Sequence, residues 1–503
     1  MRILPSLLVL PSLAEAISVS QRRKVVQSLN VRRTKSSDST PLQVGNGNFA
    51  FGADITGLQT FKPYAIMSTW GWHNFSLPTT PGQTSVNVRI EHTLDETTYY
   101  THIAWTGRGT ITGPAPDTHR YTFTTAQPTL HPVITYSPTP NIRSPAFSHV
   151  VSSSRTWWRA FWTTSVFVDL THVPSARAQS LQRRIILSQY LTTVNSASSL
   201  PQQESGLVNN GWHGKFHLEM ALWHTLPFAR WGQFPLFRRS QPSTYHSFLP
   251  SAKERAKRQG YSGPRWGKMS DPAGRSAPGD INALLLWQQP HVMYCAETEW
   301  RAFPEERTLA RWEDVVQETA EFMASRAWWN ESSGRWKERM GKEAPSEWVR
   351  VRDGLAPLPM VNGTYAVYEG IEGMWTSNAT TNDHPAMAGI FGLLPPPASG
   401  PPLDMDALRK TAGKIKELWA LDYSYGWDFA MLAMNSLRLG DPEQAVEYLL
   451  HPIFQFDDAG YPVGGSRVPT PYFPNSASFL IATAMMAGGW DGGEGVKGHW
   501  PND

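Results

Sequence analysis

The sequence contains a single cysteine, Cys295, so no disulfide can form within the chain. A chain of 503 residues, 40% of them hydrophobic, can bury a core large enough to fold without one. Cys295 stands in an apolar run, which favours a buried, inert thiol over a nucleophile.

Excess charge and long apolar runs are also lacking. The net charge of +3 is small for this length and gives no sign of a nucleic-acid-binding surface. No later stretch of about 20 apolar residues predicts a membrane span. The usual spacings of metal-binding histidines and acids are missing, and Gly45-Asn46-Gly47 indicates a hairpin turn rather than a nucleotide loop. We therefore expect no metal, no cofactor, no nucleic acid and no membrane among the partners.

The first sixteen residues have the pattern of an export signal. Arg2 is followed by a short apolar run at 3–13 and by Ala14-Glu15-Ala16, which has the form of a cleavage site. Sequons for N-glycosylation begin at Asn74, Asn330, Asn362 and Asn378. These features predict a secreted glycoprotein with a signal peptide at 1–16.

Composition divides the rest of the chain into four parts. A basic, polar lead-in at 17–40 precedes a segment at 41–175 that is rich in Thr, Val, Tyr and Phe, for which we predict an antiparallel β-sandwich domain. A helix at 176–191 is predicted to link this domain to a helical domain at 192–503. Strands are expected at 85–90, 118–124 and 132–136, and helices at 312–327, 405–421, 427–439 and 443–450, with Asp404 and Asp441 as N-caps.

Tryptophan is unusually abundant, with 22 residues. Indole rings offer flat apolar faces that can stack on sugar rings, but they also fill large cores. Both explanations stay open for any single tryptophan.

Several motifs resemble the six-hairpin glycosidases, in particular glycoside hydrolase families 65 and 95. They occur in the expected order over nearly the whole chain, at 41–60, 67–73, 210–229, 286–291, 382–395, 426–441 and 451–457. The resemblance implies a β-sandwich followed by an (α/α)6 toroid, a multidomain β + α architecture. It also implies that an oligosaccharide or the end of a polysaccharide binds in the central pocket of the barrel.

A glycosidase of this kind needs a protonated carboxylic acid and a carboxylate. In an inverting enzyme the two groups lie roughly 6.5–9.5 Å apart. For the acid we choose Glu369, whose place in the order of motifs matches the family, and whose neighbours Tyr368 and Trp375 would raise its pKa. Glu372 is the rival, and the alternative for both is simple exposure to solvent.

The base has two candidates. Asp457 ends a run at 451–457 that resembles the one carrying the aspartate base of family 95, although Asp458 and Ala459 replace the family's next two residues. Asp428, beside Trp427, is the other candidate, or else simply an acid favoured by the dipole at a helix N-terminus.

The resemblance also indicates sugar-binding side chains. Lys215, His217 and Glu219 alternate with apolar residues, so on an extended segment they would share one face, whereas Lys215 and Glu219 would otherwise form a structural salt bridge. Glu219 replaces the asparagine that assists the base in family 95, so fucosidase specificity is not expected. The remaining candidates are Trp70, Trp72, Trp212, Gln289, His291, Asp383, His384 and Trp427.

The leading functional hypothesis is thus a secreted, inverting glycoside hydrolase. A disaccharide phosphorylase and a lyase are alternatives on the same fold. A non-catalytic carbohydrate-binding protein, or an inactive homologue, is the alternative from another class, because the predicted β-domain is short beside the family pattern and 100–165 match it poorly.

Overall fold

The computed structural model describes residues 17–71, 100–106, 108–114, 120–140, 142–277, 281–282, 284–332, 334–338, 351, 353–396, 401–491, 493 and 500–501. The predicted signal peptide at 1–16, the predicted strand at 85–90 and Trp72 lie outside these residues. Helices dominate after residue 146, and most strands precede it.

The described strands of the first part form small antiparallel sheets. These are a three-stranded sheet of β1 (Leu42–Gly45), β2 (Phe49–Ala53) and β3 (Met67–Ser68), a pair of β4 (Tyr100–Thr106) and β7 (His131–Ser137), and a pair of β5 (Thr110–Thr112) and β6 (Thr122–Thr124). The strands predicted near 118–124 and 132–136 are therefore confirmed. The described residues show a small sheet region rather than two complete facing sheets.

The prediction of strand was wrong at the end of this segment, where α2 spans Phe147–Thr164. Trp158, Phe161 and Trp162 are spaced along one face of the helix, with the Trp158 and Phe161 ring centroids 5.4 Å apart. Aromatic residues favour strands by composition, but their spacing here follows the helical repeat.

The remaining strands are short pairs inside the helical part. They are β8 (Phe216–His217) with β9 (Met269–Ser270), β10 (Ala327–Asn330) with β11 (Arg335–Glu338), and β12 (Met360–Val361) with β13 (Thr364–Tyr365).

The helices agree with the sequence patterns in position and, mostly, in bounds. They are α1 (Val19–Ser28), α3 (Ala176–Ser196), α4 (Leu218–Arg230), α5 (Phe234–Ser240), α6 (Ser243–Arg258), α7 (His291–Ala302), α8 (Glu306–Ser325), α9 (Asn378–Thr381), α10 (Met405–Leu418), α11 (Trp427–Arg438), α12 (Pro442–Leu449) and α13 (Pro474–Gly488). Asp404 and Asp441 accept hydrogen bonds from backbone amides at the starts of α10 and α12, as predicted.

Three buried helices, α4, α11 and α13, run in the same direction. Arg230, Arg438 and Gly488, at or near their C-terminal ends, line one cavity. At the other ends, Asp428 of α11 lies close enough to Glu219 of α4 for both to act electrostatically on Tyr472, just before α13. Side chains at the three N-terminal ends therefore converge in one place.

Gly426 makes this convergence possible. Its φ of 37° is positive, and a Cβ atom there would lie 2.1 Å from the side-chain nitrogen, Nδ2, of buried Asn475 at the start of α13. Only glycine allows the start of α11 to approach α13 so closely.

We expect Gly426→Ala to lower the free energy of unfolding by roughly 1–3 kcal/mol through backbone strain, and further through displacement of Asn475. Chemical denaturation measures this. Gly413→Ala in α10 is the matched control, because a Cβ there meets nothing within 4 Å. It should be neutral or raise the free energy of unfolding by up to about 1 kcal/mol. Equal effects of the two substitutions would contradict the packing argument.

The N-terminal sheet packs on both early and late parts of the chain. Ala50 and Met67 share a buried cluster with Val194 of α3 and with Tyr461 and Phe473. The Tyr461 hydroxyl donates a hydrogen bond to the Pro41 carbonyl, with an O···O distance of 2.5 Å. The sheet region is thus fixed to the helical part by buried contacts.

Two further observations concern the described residues alone. None of the helices in these ranges is long and apolar enough to cross a membrane. Within the same ranges, no three His, Cys, Asp or Glu side chains come close enough together to hold a metal ion.

Candidate active site

The site begins with Glu219, in the first turn of α4. Strand β8 leads directly into this helix and pairs with β9, which brings Lys268 alongside Glu219. The Glu219 amide donates a hydrogen bond to the Lys268 carbonyl at 3.3 Å. The Glu219 carboxylate receives a hydrogen bond of 3.0 Å from Trp287 Nε1 and lies 3.2 Å from Lys268 Nζ. These two contacts hold a nearly buried carboxylate in a fixed orientation.

Glu204 lies behind this carboxylate, in the buried loop that joins α3 to β8. Its Oε1 is 3.5 Å from Nε2 of His217, and its Oε2 has no hydrogen-bond partner among the described residues. Burial raises the pKa of Glu204 well above its ordinary value, the negative charge of Glu219 raises it further, and Lys268 opposes both effects. Burial and the neighbouring charge of Glu219 therefore favour the protonated, neutral form of Glu204.

Buried His217 completes this side of the site in its neutral form. Burial lowers the pKa of His217 well below its ordinary value, so no ion pair with Glu204 forms at neutral pH. Its ring meets Trp212 edge to face, with centroids 5.2 Å apart. Burial, and then the charge of Lys268, lower the pKa of half-buried Lys215. Lys215, His217 and Glu219 thus contribute to one cluster, as the alternating pattern predicted, while the ion pair of Glu219 is with Lys268.

A second acidic group, Asp428, is fully buried at the start of α11. Its Oδ1 lies 2.8 Å from His384 Nδ1, and its Oδ2 accepts from the Ser424 hydroxyl at 2.7 Å and the Tyr425 amide at 3.1 Å. With both oxygens engaged, Asp428 holds the His384 ring in a fixed orientation.

His384 is the more accessible partner, with 32% of its side chain exposed. Burial lowers the pKa of His384, but the charge of Asp428 and its hydrogen bond outweigh burial, and the pKa is raised overall. Glu219 also contributes to this rise, which places it near the histidine. Nε2 is the ring nitrogen left for other partners, and it donates a hydrogen bond when the ring is protonated.

Aromatic rings connect the two acidic groups. Trp427 packs on Trp287 with centroids 6.0 Å apart, on His384 at 4.5 Å, and on Trp223 at 5.4 Å. Tyr425 packs on the other side of His384 at 4.4 Å, and Arg467 donates to the Tyr425 hydroxyl at 3.1 Å. Half-buried Trp287 and Tyr425 offer flat faces of the kind on which sugar rings stack.

Some predicted residues support the cluster instead of lining it. Buried Gln289 accepts from the Trp266 amide and donates to the Trp266 carbonyl, which fixes the loop that carries Lys268. Burial lowers the pKa of His291 to about 3, and its ring meets Trp287 edge to face at 4.5 Å. Asp383 is exposed and accepts a hydrogen bond from the His384 amide.

Trp70 is half-buried in the N-terminal sheet region. Its ring stacks on Phe49 with a centroid distance of 6.1 Å. A role for Trp70 in binding sugar stays a prediction.

Asp457 is placed elsewhere, among the contacts of the sheet region. Its carboxylate lies 2.9 Å from Arg33 Nη2 and accepts from the amides of Ala459 and Tyr461 at 2.9 and 2.8 Å. These contacts close a turn and fix the lead-in segment. They give Asp457 a structural role among the described residues, and its assignment as base stays a prediction.

Glu369 and Glu372 are both exposed, on the segment after β13. Trp375, expected to lie against Glu369, is buried against Trp419 at 6.0 Å, and Trp419 Nε1 donates to the Asp383 carbonyl at 2.7 Å. This chain of contacts connects the segment to the loop that carries His384. The segment is a neighbour of the cluster, but burial of Glu369 is not seen.

The sequence pointed to neither Glu204 nor Lys268. Glu204 stands in a loop of polar residues without periodicity, and Lys268 is an isolated cation between two short motifs. The nearby motif at 286–291 was noted, but Trp287 itself was not singled out.

Glu204→Gln should make stability less dependent on pH. A carboxyl group whose pKa is raised by folding stabilises the fold fully below its unfolded pKa, near 4.5, and this contribution is lost as pH rises towards the folded pKa. The variant removes that loss, so its free energy of unfolding relative to the parent should rise between pH 5 and pH 8 by at least about 1 kcal/mol. Denaturant titrations across this range measure the difference. Glu372→Gln, at an exposed position, should show no such trend.

Comparisons with known proteins identify the fold to which this geometry belongs. No protein-family description matches the chain, and no curated protein matches it in sequence. Among solved structures, a protein from the human microbiome named as a kojibiose phosphorylase matches with a TM-score of 0.53 at 11% identity, over 83% of this chain and 68% of that one. Two structures named as a glycosidase, one of them the wild type, match with TM-scores of 0.42 and 0.41 at 13% and 14% identity, each over 61% of this chain and 97% of the other. The chain has a six-hairpin glycosidase-like fold.

Proposed function

We propose that this chain is a glycoside hydrolase that cleaves an oligosaccharide with inversion, at the cluster around Glu219 and His384. The supporting observation is the convergence of side chains from the N-terminal ends of buried parallel helices. There a fixed carboxylate, a histidine whose pKa is raised by Asp428, and flat aromatic faces lie together. Completion of the helical hairpins into an (α/α)6 toroid, and secretion of the protein, belong to the same proposal.

Glu219 is the carboxylate that we assign to the attacking water. It takes one proton from the water, whose oxygen forms a bond to the anomeric carbon while the bond to the leaving oxygen breaks. That oxygen receives a proton from a carboxylic acid, so the products are a sugar hemiacetal and an alcohol. His384 Nε2 would donate a hydrogen bond to a sugar hydroxyl beside the reacting centre.

Two glutamates are candidates for the proton donor, and we assign the role to Glu369. It is accessible, on a segment that neighbours His384, and a substrate would bury it and raise its pKa. Glu204 already has a raised pKa, but its burial behind Glu219 keeps it from a substrate.

The test is hydrolysis of a panel of natural and aryl glycosides by the full chain, alongside Glu369→Gln, Glu204→Gln and Glu372→Gln. A variant without its acid should lose roughly 10²–10⁴-fold on natural glycosides. It should lose far less on dinitrophenyl glycosides, whose leaving group needs no proton. This pattern in Glu369→Gln alone supports the assignment, and the same pattern in Glu204→Gln would move the role there. Binding of sugars without turnover of any substrate would instead favour a carbohydrate-binding protein.

Phosphorolysis is the second candidate, favoured by two cations beside Glu219. Lys268 forms the ion pair with Glu219 and also lowers the pKa of Lys215, so two ammonium groups lie near each other. Such a pair could receive phosphate in place of water. Inclusion of phosphate in the panel, with detection of sugar phosphate as the product, separates the two reactions.

A further inference from the structure

A cavity of about 440 Å³ lies at the opposite ends of the helices that form the candidate active site. Helix α4 has 13 residues, so the cavity is about 20 Å from Glu219. Its wall combines three arginines and two acids with aromatic rings: Arg230, Arg301, Arg438, Glu297, Asp491, Tyr294 and Trp490. The volume is within the range of sites for small ligands.

The three arginines differ in how their charge is balanced. Arg301 forms ion pairs with Glu297, at 2.8 Å, and with Asp491. Arg230 donates to the Tyr294 hydroxyl at 2.9 Å, and Arg438 uses its Nε for the Gly392 carbonyl at 2.8 Å. Among the described residues, neither Arg230 nor Arg438 has a carboxylate within ion-pair distance.

These two guanidinium groups also affect each other. Burial lowers the pKa of Arg438, the charges of Tyr294 and Asp491 oppose this, and Arg230 lowers the pKa further. Two like charges that lie close together, with nitrogens still able to donate, are stabilised by an oxyanion between them. Arginine is favourable at these positions because its charge interacts with the carbonyl groups at the C-terminal ends of the helices. That interaction does not involve the remaining guanidinium nitrogens.

We propose that this cavity binds a small ligand through a carboxylate, sulfate or phosphate group held between Arg230 and Arg438, with the body of the ligand against Tyr294 and Trp490. The site is separate from the proposed glycoside-cleaving cluster, and its existence does not depend on that function. Loss of either site would leave the other measurable.

Calorimetric titration of the full chain with glucuronate, inorganic phosphate and glucose tests the proposal. We expect one of the two oxyanions, glucuronate or phosphate, to bind. Glucose should bind at least tenfold more weakly than that oxyanion, or not at all. Glucuronate alone would identify an acidic sugar as the ligand, whereas phosphate alone would identify a phosphate or one of its esters. Equal binding of glucose and glucuronate, or no binding of either oxyanion, would overturn the proposal.

The variants locate the site. Arg230→Gln and Arg438→Gln should each weaken oxyanion binding about tenfold or more. Arg230 is exposed, so its replacement keeps the test valid if Arg438→Gln lowers stability. Arg258→Gln, an exposed arginine that also ends a helix, is the matched control and should bind as the parent does. Binding unchanged in both cavity variants would place the anion elsewhere, for example beside Lys215 and Lys268, and would refute this site.

Discussion

Glu219→Gln is expected to reduce turnover of a natural glycoside by about 10³-fold while leaving the fold intact, since a general base contributes 10²–10⁴-fold. The amide keeps the size of the carboxylate and can still accept from Trp287 Nε1. It cannot take a proton from water, and its ion pair with Lys268 is lost. A fall in kcat with little change in KM would show that the loss falls on the transition state.

The control for this experiment is Asp457→Asn, at one of the two positions that the sequence suggested for the base. Because Asp457 bonds Arg33 and two backbone amides, its replacement should lower stability and leave kcat within a few fold. Loss of turnover in Asp457→Asn, with activity kept in Glu219→Gln, would return the role to the family position. Thermal melting of both variants separates unfolding from loss of chemistry.

Asp428→Asn should reduce turnover by about 10²-fold near pH 7 and change its dependence on pH. The negative charge of Asp428 and its hydrogen bond hold the pKa of His384 above its ordinary value. With the charge removed, burial dominates and the histidine loses its proton at lower pH. If protonated His384 binds the sugar, activity falls as pH rises through the His384 pKa, so the variant should lose activity at a lower pH than the parent.

Asp383→Asn is the matched control for this shift. Asp383 also raises the pKa of His384, but it is exposed and contacts only the histidine amide through its side chain. Its replacement should move the alkaline limb of the profile much less. Equal shifts in both variants, or no shift in Asp428→Asn, would contradict a role for the protonated histidine.

Helices were predicted well because their signals are local. The N-caps Asp404 and Asp441 act through backbone amides two or three residues away, and the aliphatic spacing of 312–327 is visible within one segment. The error at 147–164 arose from the aromatic content of a helix that uses its rings at helical spacing. Registers of the sheet region, such as Leu42 opposite Ala53, depend on pairing that a single strand does not encode.

The site was predicted in part, and the division follows sequence distance. His217 and Glu219 are neighbours in an alternating segment, so their shared location was readable. The pairing of Asp428 with His384 joins residues 44 apart, and both had been named separately as candidates. Glu204 and Lys268 could not be recognised from the sequence, because their roles depend on burial and on the nearby charge of Glu219. Only the tertiary structure brings these features together. The contact of Asp457 with Arg33 was not predictable from a local motif, because the two residues are 424 apart in sequence.

The contact between Arg33 and Asp457 also bears on the order in which the chain can fold during synthesis. The sheet region leaves the ribosome well before Tyr461 and Phe473, which cover its buried face. Until these residues are made, Ala50 and Met67 remain without part of their final cover, so the nascent chain exposes apolar surface. We infer that the N-terminal and C-terminal parts complete their folding together. A nascent chain stopped before residue 457 would need a chaperone to prevent its aggregation.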